Sequence, residues 1–272
     1  MKSLSKLLLS EDMKLPQSIR GGFPMGNDVV DKIVENGWDI EEVIFRLNTS
    51  KNAVSFMGSH ISNYFKRGSF GLIFELDNGN LLKLSNDMQE AQTSHEIKNL
   101  GGDVVKIYDV VEFEFKGKPF SLFLILMEKV PGVELWSYFK KINSKIDQYD
   151  IGQFFIRPVR DEWFSNGFPS DITIETIIDT AREKWTYGQT PMTIVDNHIK
   201  HLKDSPQEVK DIVVKIVKIL QKLKGKGIEW MDSHFGNLII DPQTKKITAI
   251  DMGLSSSDGK IMVKKLVEII NR

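Results

Sequence analysis

Residues Gly227 to Gly253 read GIEWMDSHFGNLIIDPQTKKITAIDMG, and this stretch decides how the rest of the chain is interpreted. Two short apolar runs, 238–240 and 247–250, flank a polar turn at 241–244. That alternation predicts a β-hairpin, which brings its two outer ends side by side. The side chains at those ends are therefore expected to lie close together.

Three oxygen-bearing side chains stand at the outer ends of this predicted hairpin. Asp232 and Asn237 precede its first strand, and Asp251 follows its second. Two carboxylates and an amide at one place suit a hard divalent cation such as Mg²⁺, with a base beside it. The same residues are also compatible with ordinary turn chemistry, because Asp and Asn favour loops.

The composition bounds the class of protein. The chain has 272 residues, 41% of them hydrophobic and 27% charged, which is typical of one large globular domain or two lobes. A net charge of −1 supplies no basic field, so no nucleic-acid partner is expected. The absence of cysteine excludes disulfides, thiolate metal sites and a thiol nucleophile.

The N-terminal 16 residues contain an apolar run that is too short for a signal-peptide core, and no segment approaches the length of a membrane span. We therefore expect a cytoplasmic protein with no membrane partner. The first 16 residues are expected to form an amphipathic helix that packs on the body, and a membrane-surface role for it is the alternative.

Hydrophobic periodicity predicts the elements that precede the opening stretch. Two helices, 28–36 and 39–47, form an N-terminal extension without visible chemistry. Beyond it, the order strand, strand, strand, helix, strand, strand predicts a five-stranded antiparallel sheet with one helix: 61–76 interrupted at 68–71, then 81–84, 87–100, 104–115 and 119–127. Asn78-Gly79 is a strong hairpin signal within this region. Asp87 can cap the helix, with Glu90 at capping-box spacing.

From Pro131-Gly132 onward the pattern is mainly helical, with helices expected at 134–141, 172–184, 205–223 and 260–270. The aromatic-rich segment 150–168 is interpreted as core packing rather than a ligand site. His198 and His201 could share a helix face and bind a metal, but two histidines without a third ligand are more often surface residues.

The order of these parts resembles the protein-kinase-like superfamily from about Ile61 to Gly253. FKRGSFGLIF is similar to the glycine-rich loop, NLLKL supplies a strand lysine, and HEIKNLGGDVVKIYDVVE resembles the helix that follows. LILMEKVPGVEL resembles the hinge, GIEWMDSHFGNLII the catalytic loop and AIDMGLS the D-F-G segment. The resemblance implies an α+β, two-lobed kinase-like fold. Its parts would be an extension at 1–60, an N-lobe with hinge at 61–133 and a helical C-lobe at 134–272.

The resemblance also implies that ATP and Mg²⁺ are bound. The backbone of the glycine-rich loop would approach the phosphates, Lys83 would contact the α- and β-phosphates, and Glu96 would hold the Lys83 ammonium. The backbone from Glu128 to Val130 would hydrogen-bond adenine. The loop residues concerned are Gly68, Ser69, Phe70 and Gly71.

In the catalytic loop, Asp232 would accept the proton of the acceptor hydroxyl, and Asn237 and Asp251 would hold Mg²⁺. His234 would contact the γ-phosphate, or else be a loop histidine bonded to the backbone. The letters D-S-H-F-G-N look more like aminoglycoside-phosphotransferase-type kinases than like ordinary protein kinases.

The sequence departs from the protein-kinase pattern in three further places. Lys66 replaces the first loop glycine, and Trp230-Met231-Asp232 replaces H-R-D, so the arginine that couples to activation-segment phosphorylation is absent. Met252 stands in the middle of the D-F-G segment. Only 19 residues follow Gly253 (272 − 253), so an ordinary peptide-binding platform is not expected there.

We therefore expect an ATP- and Mg²⁺-dependent phosphotransferase, an atypical Ser/Thr protein kinase whose acceptors could include its own Ser255, Ser256 or Ser257. One alternative is a kinase that acts on a small-molecule hydroxyl. Another is a non-catalytic binding or inhibitor module with a kinase shape. Transfer of AMP instead of phosphate is also conceivable in this fold.

Overall fold

A computed structural model of the chain describes residues 29–49, 58–67, 71–115, 121–142, 145–186, 190–251, 255–257 and 264–268. The helix expected within residues 1–16, the loop residues Gly68, Ser69 and Phe70, and Met252 lie outside these ranges. The chain divides into two compact units. Unit 1 comprises Met1–Gly101, Lys106–Lys129 and Gly259–Arg272, and unit 2 comprises Gly102–Val105 and Val130–Asp258.

Unit 1 contains the predicted antiparallel sheet. Its described elements are α1 (Val29–Glu35), α2 (Ile40–Thr49), β1 (Ile61–Arg67), β2 (Gly71–Leu76), β3 (Leu81–Ser85), α3 (Met88–Ile97), β4 (Ile107–Phe115), β5 (Ser121–Met127) and β11 (Lys264–Glu268). The strand order is β1-β2-β3-β5-β4-β11, and the first five strands pair antiparallel. The turn between β2 and β3 places Gly79 at φ +81°, as its hairpin signal requires. The five predicted strands and the helix between them are confirmed.

The sixth strand corrects the sequence analysis. A helix was expected at 260–270, but Lys264–Glu268 forms β11, which pairs parallel with β4 from Lys264 opposite Val111 to Glu268 opposite Phe115. The edge of β4 offers unpaired backbone groups to any extended segment that reaches it. Local periodicity over a few residues carries no information about such a distant partner.

The two predicted N-terminal helices are confirmed, and they share the core of the sheet. Their buried side chains pack in one cluster with residues of the strands: Val29, Ile33, Val43 and Leu47 with Leu72, Phe74, Leu82 and Leu124. The sequence analysis set residues 1–60 apart as an extension, whereas the described part of that segment belongs to unit 1.

Unit 2 is mainly helical, as predicted. Its described elements are β6 (Val133–Glu134), α4 (Leu135–Phe139), α5 (Gln148–Ile151), a π-helical turn (Gly152–Ile156), α6 (Arg157–Asn166), α7 (Ile174–Thr186), α8 (Met192–Lys203), α9 (Gln207–Lys224), β7 (Ile228–Trp230), a 3₁₀ turn (Phe235–Asn237), β8 (Leu238–Ile240), β9 (Ile247–Ala249) and β10 (Ser255–Ser257). The hairpin of the opening stretch is β8 and β9, with β6 on its other side, and β10 pairs with β7.

Helix α9 delivers the chain into the hairpin. Its predicted apolar stripe is fully buried: Val209, Ile212, Val213, Ile216, Ile219, Leu220 and Leu223. A rigid, buried helix immediately before β7 fixes where the loop that carries Asp232 begins. Among the helices that the structure describes, none is long and apolar enough to cross a membrane.

Candidate active site

Lys83 lies in the middle of β3, where its backbone pairs with Ile73 on one side and Ile125 on the other. Only 5% of the residue is exposed. An ammonium group in such a position requires a partner, because removing an unpaired charge from water is costly. The strand lysine is therefore a built feature of unit 1 and not a solvated surface residue.

The partner of Lys83 is Glu90, and the expected partner Glu96 is a correction. The Lys83 Nζ contacts Glu90 Oε1, and both side chains are almost fully buried. Ser85 Oγ donates a 2.8 Å hydrogen bond to the other carboxylate oxygen of Glu90. Glu90 and Glu96 are six residues apart, about 240° around an α-helix, so they point in different directions. Glu96 is partly exposed.

The capping of α3 positions Glu90. Asp87 accepts hydrogen bonds from the backbone N–H groups of Gln89 at 2.8 Å and Glu90 at 3.3 Å. The sequence analysis noted Glu90 only as a capping-box residue. Its buried role had a signal in the sequence, because Glu90 lies seven residues before the buried Ile97 and so on the same helix face.

Gly71, the first residue of β2, is placed by its close approach to β3. A Cβ at this position would collide with the carbonyl oxygen of Leu84 and lie 3.2 Å from Cε of Lys83. A glycine here thus permits the strand pairing around Lys83. The predicted phosphate contacts of Gly71 stay predictions.

The expected hinge residues fall where the two units are connected along the chain. Glu128 N–H donates to Lys106 O at 3.0 Å, and Glu128 Oε1 accepts from Lys106 N at 2.8 Å. Glu128 is therefore pinned to the segment that leads into β4. Val130 is the first residue of the second part of unit 2. Their adenine contacts stay predictions.

In unit 2, Asn237 holds the loop that carries Asp232. Its Nδ2 donates 3.0 Å hydrogen bonds to both the backbone carbonyl and the Oδ2 of Asp232. The residue is 9% exposed. With both amide hydrogens donated, Oδ1 is the atom that this side chain can offer to a cation.

The backbone ties Asn237 to the end of the hairpin. Ile250 N–H donates to Asn237 O at 3.0 Å, which places the next residue, Asp251, beside it along the chain. The carbonyl of Asp251 accepts a 2.8 Å hydrogen bond from the indole of the fully buried Trp230. The three residues singled out from the sequence therefore stand at one end of the hairpin.

The oxygen atoms at this end suit Mg²⁺ better than a metal caged by protein. The described residues include no group of three or more His, Asp or Glu that could hold a metal ion. Mg²⁺ usually takes one or two carboxylates and completes its shell with phosphate oxygens and water. An amide oxygen from Asn237 and a carboxylate from Asp251 fit that preference.

His234 is a backbone-bonded loop histidine, which was one of its two predicted roles. Its Nδ1 accepts a 3.0 Å hydrogen bond from Gly236 N–H, so the neutral ring carries its proton on Nε2. That Nε2 lies 3.6 Å from Asp232 Oδ1. The ring thus flanks the carboxylate, and contact with a γ-phosphate stays a prediction.

Arg160 is a site residue that the sequence analysis missed. It lies on α6 and is 6% exposed. Its Nη1 donates a 2.7 Å hydrogen bond to the carbonyl of Met231, the residue before Asp232. Its Nε and Nη2 donate to Asp161 Oδ1 at 2.9 and 2.7 Å. No motif marks an arginine 72 residues upstream of Asp232, so this contact had no signal in the sequence.

The far end of the hairpin is fastened to two helices through the turn residue Lys245. Glu208 Oε1 accepts hydrogen bonds from Lys245 Nζ at 2.8 Å and from Tyr138 OH at 2.6 Å. The Lys245 ammonium and the Tyr138 hydroxyl hold the pKa of Glu208 below its ordinary value. Glu208 in turn raises the pKa of Lys245.

The two histidines considered for a metal site belong instead to helix packing. The His198 ring stacks on Phe154 with centroids 3.9 Å apart, and its Nδ1 lies 3.6 Å from Asp150 Oδ2. Phe154 also packs on Trp185. The interpretation of segment 150–168 as core packing is confirmed, whereas His198 is mostly buried and not a surface residue.

The topology described above is that of a protein-kinase-like fold: an antiparallel five-stranded sheet with one helix between its third and fourth strands, then a helical unit with the loop and hairpin of Asp232. The sequence matches no protein-family model and no curated protein. Among solved structures it is similar to the kinase PK-1 of Cydia pomonella granulovirus, at 16% identity and a TM-score of 0.40. The match covers 76% of this chain and 58% of that kinase, so the chain spans less than two thirds of the length of that relative.

Proposed function

We propose that this protein is an ATP- and Mg²⁺-dependent phosphotransferase that acts on a serine or threonine hydroxyl of a protein. The observation that carries the proposal is the bridge from the Asn237 amide to both the backbone and the carboxylate of Asp232, beside Asp251. It holds a base and two oxygen ligands in one rigid loop. The buried Lys83–Glu90 pair supplies a fixed cation in unit 1, which supports the same conclusion.

The chain's own groups would divide the work as follows. Lys83 binds the α- and β-phosphates of ATP, with Glu90 fixing the position of its ammonium. Asp232 orients the acceptor hydroxyl and takes its proton as the oxygen attacks the γ-phosphorus. The bond between the γ-phosphorus and the bridging oxygen breaks, and ADP leaves.

Asn237 Oδ1 and the Asp251 carboxylate would hold Mg²⁺. The ion supplies charge neutralisation between phosphate oxygens when it is bound. Asn237 has a second task, since its Nδ2 keeps one oxygen of Asp232 occupied and so orients the other toward the acceptor. His234, beside that second oxygen, limits the directions from which an acceptor can approach Asp232.

A small-molecule hydroxyl is the second candidate acceptor. The described residues that follow Asp251 contribute no helix to unit 2, because 255–257 pair with β7 and 264–268 join the sheet of unit 1. A protein substrate would therefore be bound by other surfaces than those of an ordinary protein kinase.

Transfer from γ-labelled ATP tests the proposal. The wild-type chain, incubated with Mg²⁺ and a mixed protein extract, should label protein on Ser or Thr and release ADP. Asp232→Asn should reduce labelling by at least about 100-fold, the upper part of the range for a lost general base. Asp179→Asn is the matched control, because Asp179 is an exposed carboxylate on α7 of the same unit.

The products separate the alternatives. Labelling of small alcohols but not of protein would favour the second candidate. Release of pyrophosphate with transfer of AMP would replace phosphoryl transfer. Absence of any nucleotide turnover, together with no Mg²⁺-dependent thermal stabilisation by ATP, would leave a binding module as the function.

A further inference from the structure

A pocket of about 190 Å³ lies beside the loop that carries Asp232, entirely within unit 2. Three parts of that unit line it: loop residues 233–236, the segment 148–156 that contains the π-helical turn, and Trp136 with Ile216. Ser233 and His234 directly follow Asp232 in the chain. The pocket is thus adjacent to the proposed base on the same rigid loop.

The walls of the pocket are mainly apolar. Ile156, Ile216 and Phe235 are buried and form an ordered base for it. Tyr149 and Trp136 are 69% and 43% exposed and form its outer part. Two large aromatic side chains left exposed beside a candidate active site are more informative than scattered surface apolar residues. Their faces can cover an apolar group that enters.

The polar lining does not suit a charged or polyhydroxylated metabolite. Its polar side chains are Gln148, Gln153, Ser233 and His234, and none of the described lining residues is Asp, Glu, Lys or Arg. Lys140 Nζ already lies 3.8 Å over the ring of Trp136, so a polycationic acceptor would meet a like charge at the outer part.

The volume suits one ring. An apolar cavity of about 150 Å³ accommodates benzene, whereas sites for drug-sized ligands run from about 300 Å³ upward. At about 190 Å³, the pocket would enclose one aromatic ring or one branched aliphatic chain. The remainder of the ligand would have to bind outside it.

We propose that this pocket binds a large apolar side chain of a polypeptide acceptor, close to the serine or threonine that is presented to Asp232. The inference rests on the proposed function and names its substrate class. His234 joins the two places, because it lines the pocket and its Nε2 is 3.6 Å from Asp232 Oδ1. An extended chain spans about 3.3–3.6 Å per residue, so the selected side chain lies within about three residues of the phosphorylated hydroxyl.

Peptide pools with a central serine or threonine, each pool with one flanking position fixed as Phe, Tyr, Leu, Ala, Asp or Lys, test the inference. With γ-labelled ATP and the full chain, one position should prefer Phe, Tyr or Leu over Ala by about 10–100-fold in kcat/KM. Asp and Lys at that position should be disfavoured, because the pocket lining offers no compensating charge.

Two variants locate the preference. Gly152 lines the pocket, and a Cβ there meets nothing within 4 Å, so Gly152→Leu can extend into the pocket while Gly152→Ala is its matched control. The Phe-to-Ala rate ratio should fall to about 2-fold or less in Gly152→Leu and stay near the wild-type ratio in Gly152→Ala. Tyr149→Ala, at an exposed position, should lower the ratio without risk to folding.

The outcomes separate this inference from the proposed function. Equal labelling of Phe and Ala pools by the wild type, or an unchanged ratio in both Gly152→Leu and Tyr149→Ala, would overturn the pocket assignment while the kinase proposal stands. Labelling of no peptide pool, with or without transfer to small alcohols, would refute the protein-kinase proposal and the pocket assignment together.

Discussion

Replacing Glu90 should destabilise unit 1 far more than replacing Glu96, although the family resemblance assigns the partner role to Glu96. The Lys83 and Glu90 side chains are only 6% and 3% exposed. Glu90 also accepts the 2.8 Å hydrogen bond of Ser85. Glu96 is partly exposed on another face of α3.

The expected magnitude follows from this burial. Glu90→Gln keeps the shape of the side chain but leaves the buried ammonium of Lys83 without a counter-charge. Breaking a buried ion pair by neutralising one partner costs about 3–5 kcal/mol. Substitutions of partly exposed side chains away from such networks stay within about 0.5 kcal/mol, which is our expectation for Glu96→Gln.

Urea unfolding of the two matched Gln variants measures the difference. Because the chain has two compact units, hydrogen exchange of residues 81–97 should accompany the unfolding curve and report on unit 1 itself. Lys83→Met combined with Glu90→Gln closes a double-mutant cycle. The pair should lose less stability than the sum of the single variants, with a coupling of about 0.5–3 kcal/mol.

Two results would refute this reasoning. One is a loss in Glu96→Gln that equals the loss in Glu90→Gln. The other is strict additivity of Lys83→Met and Glu90→Gln, since that would mean the two side chains do not interact. Either result would restore Glu96 as the candidate partner of the strand lysine.

Three further perturbations test the site and its supports. Arg160→Met should lower kcat by about 10–100-fold with little change in the KM for ATP, because it frees the backbone before Asp232 from a buried donor; steady-state labelling measures both constants. Gly71→Ala should destabilise unit 1 by about 1–3 kcal/mol through overpacking against β3, as measured in urea. The lowered pKa of Glu208 contributes stability above its ordinary value of 4.5 that is lost as pH falls through the folded pKa. Glu208→Gln should therefore flatten the fall in Tm between about pH 5 and pH 3.

Each of these predictions has a matched comparison. Arg160→Lys keeps a cation and one donor, so it should recover part of the lost kcat, and equal losses in both variants would contradict a positioning role. Gly152→Ala places a methyl group in open space within a helical turn and should be neutral in the same urea assay. A Tm profile of Glu208→Gln that falls as steeply as the wild type would show that the acid sensitivity has another source.

The sequence by itself determined the local elements and their order. The turn at Asn78-Gly79, the cap at Asp87 and the apolar stripe of α9 each depend on residues a few positions apart, and all three are present. The hairpin β8–β9 was predictable for the same reason. The grouping of Asp232, Asn237 and Asp251 at its outer end followed, because a hairpin brings its own ends together.

The tertiary structure alone decided which distant side chains and strands are partners. Lys83 pairs with Glu90 because only that face of α3 is turned toward β3, and helix rotation is set by packing. The opening stretch is held from outside by Arg160. Likewise, residues 264–268 are a strand because the edge of β4 accepts them. These choices depend on contacts far apart in sequence, so short-range patterns of polarity and turn residues could not contain them.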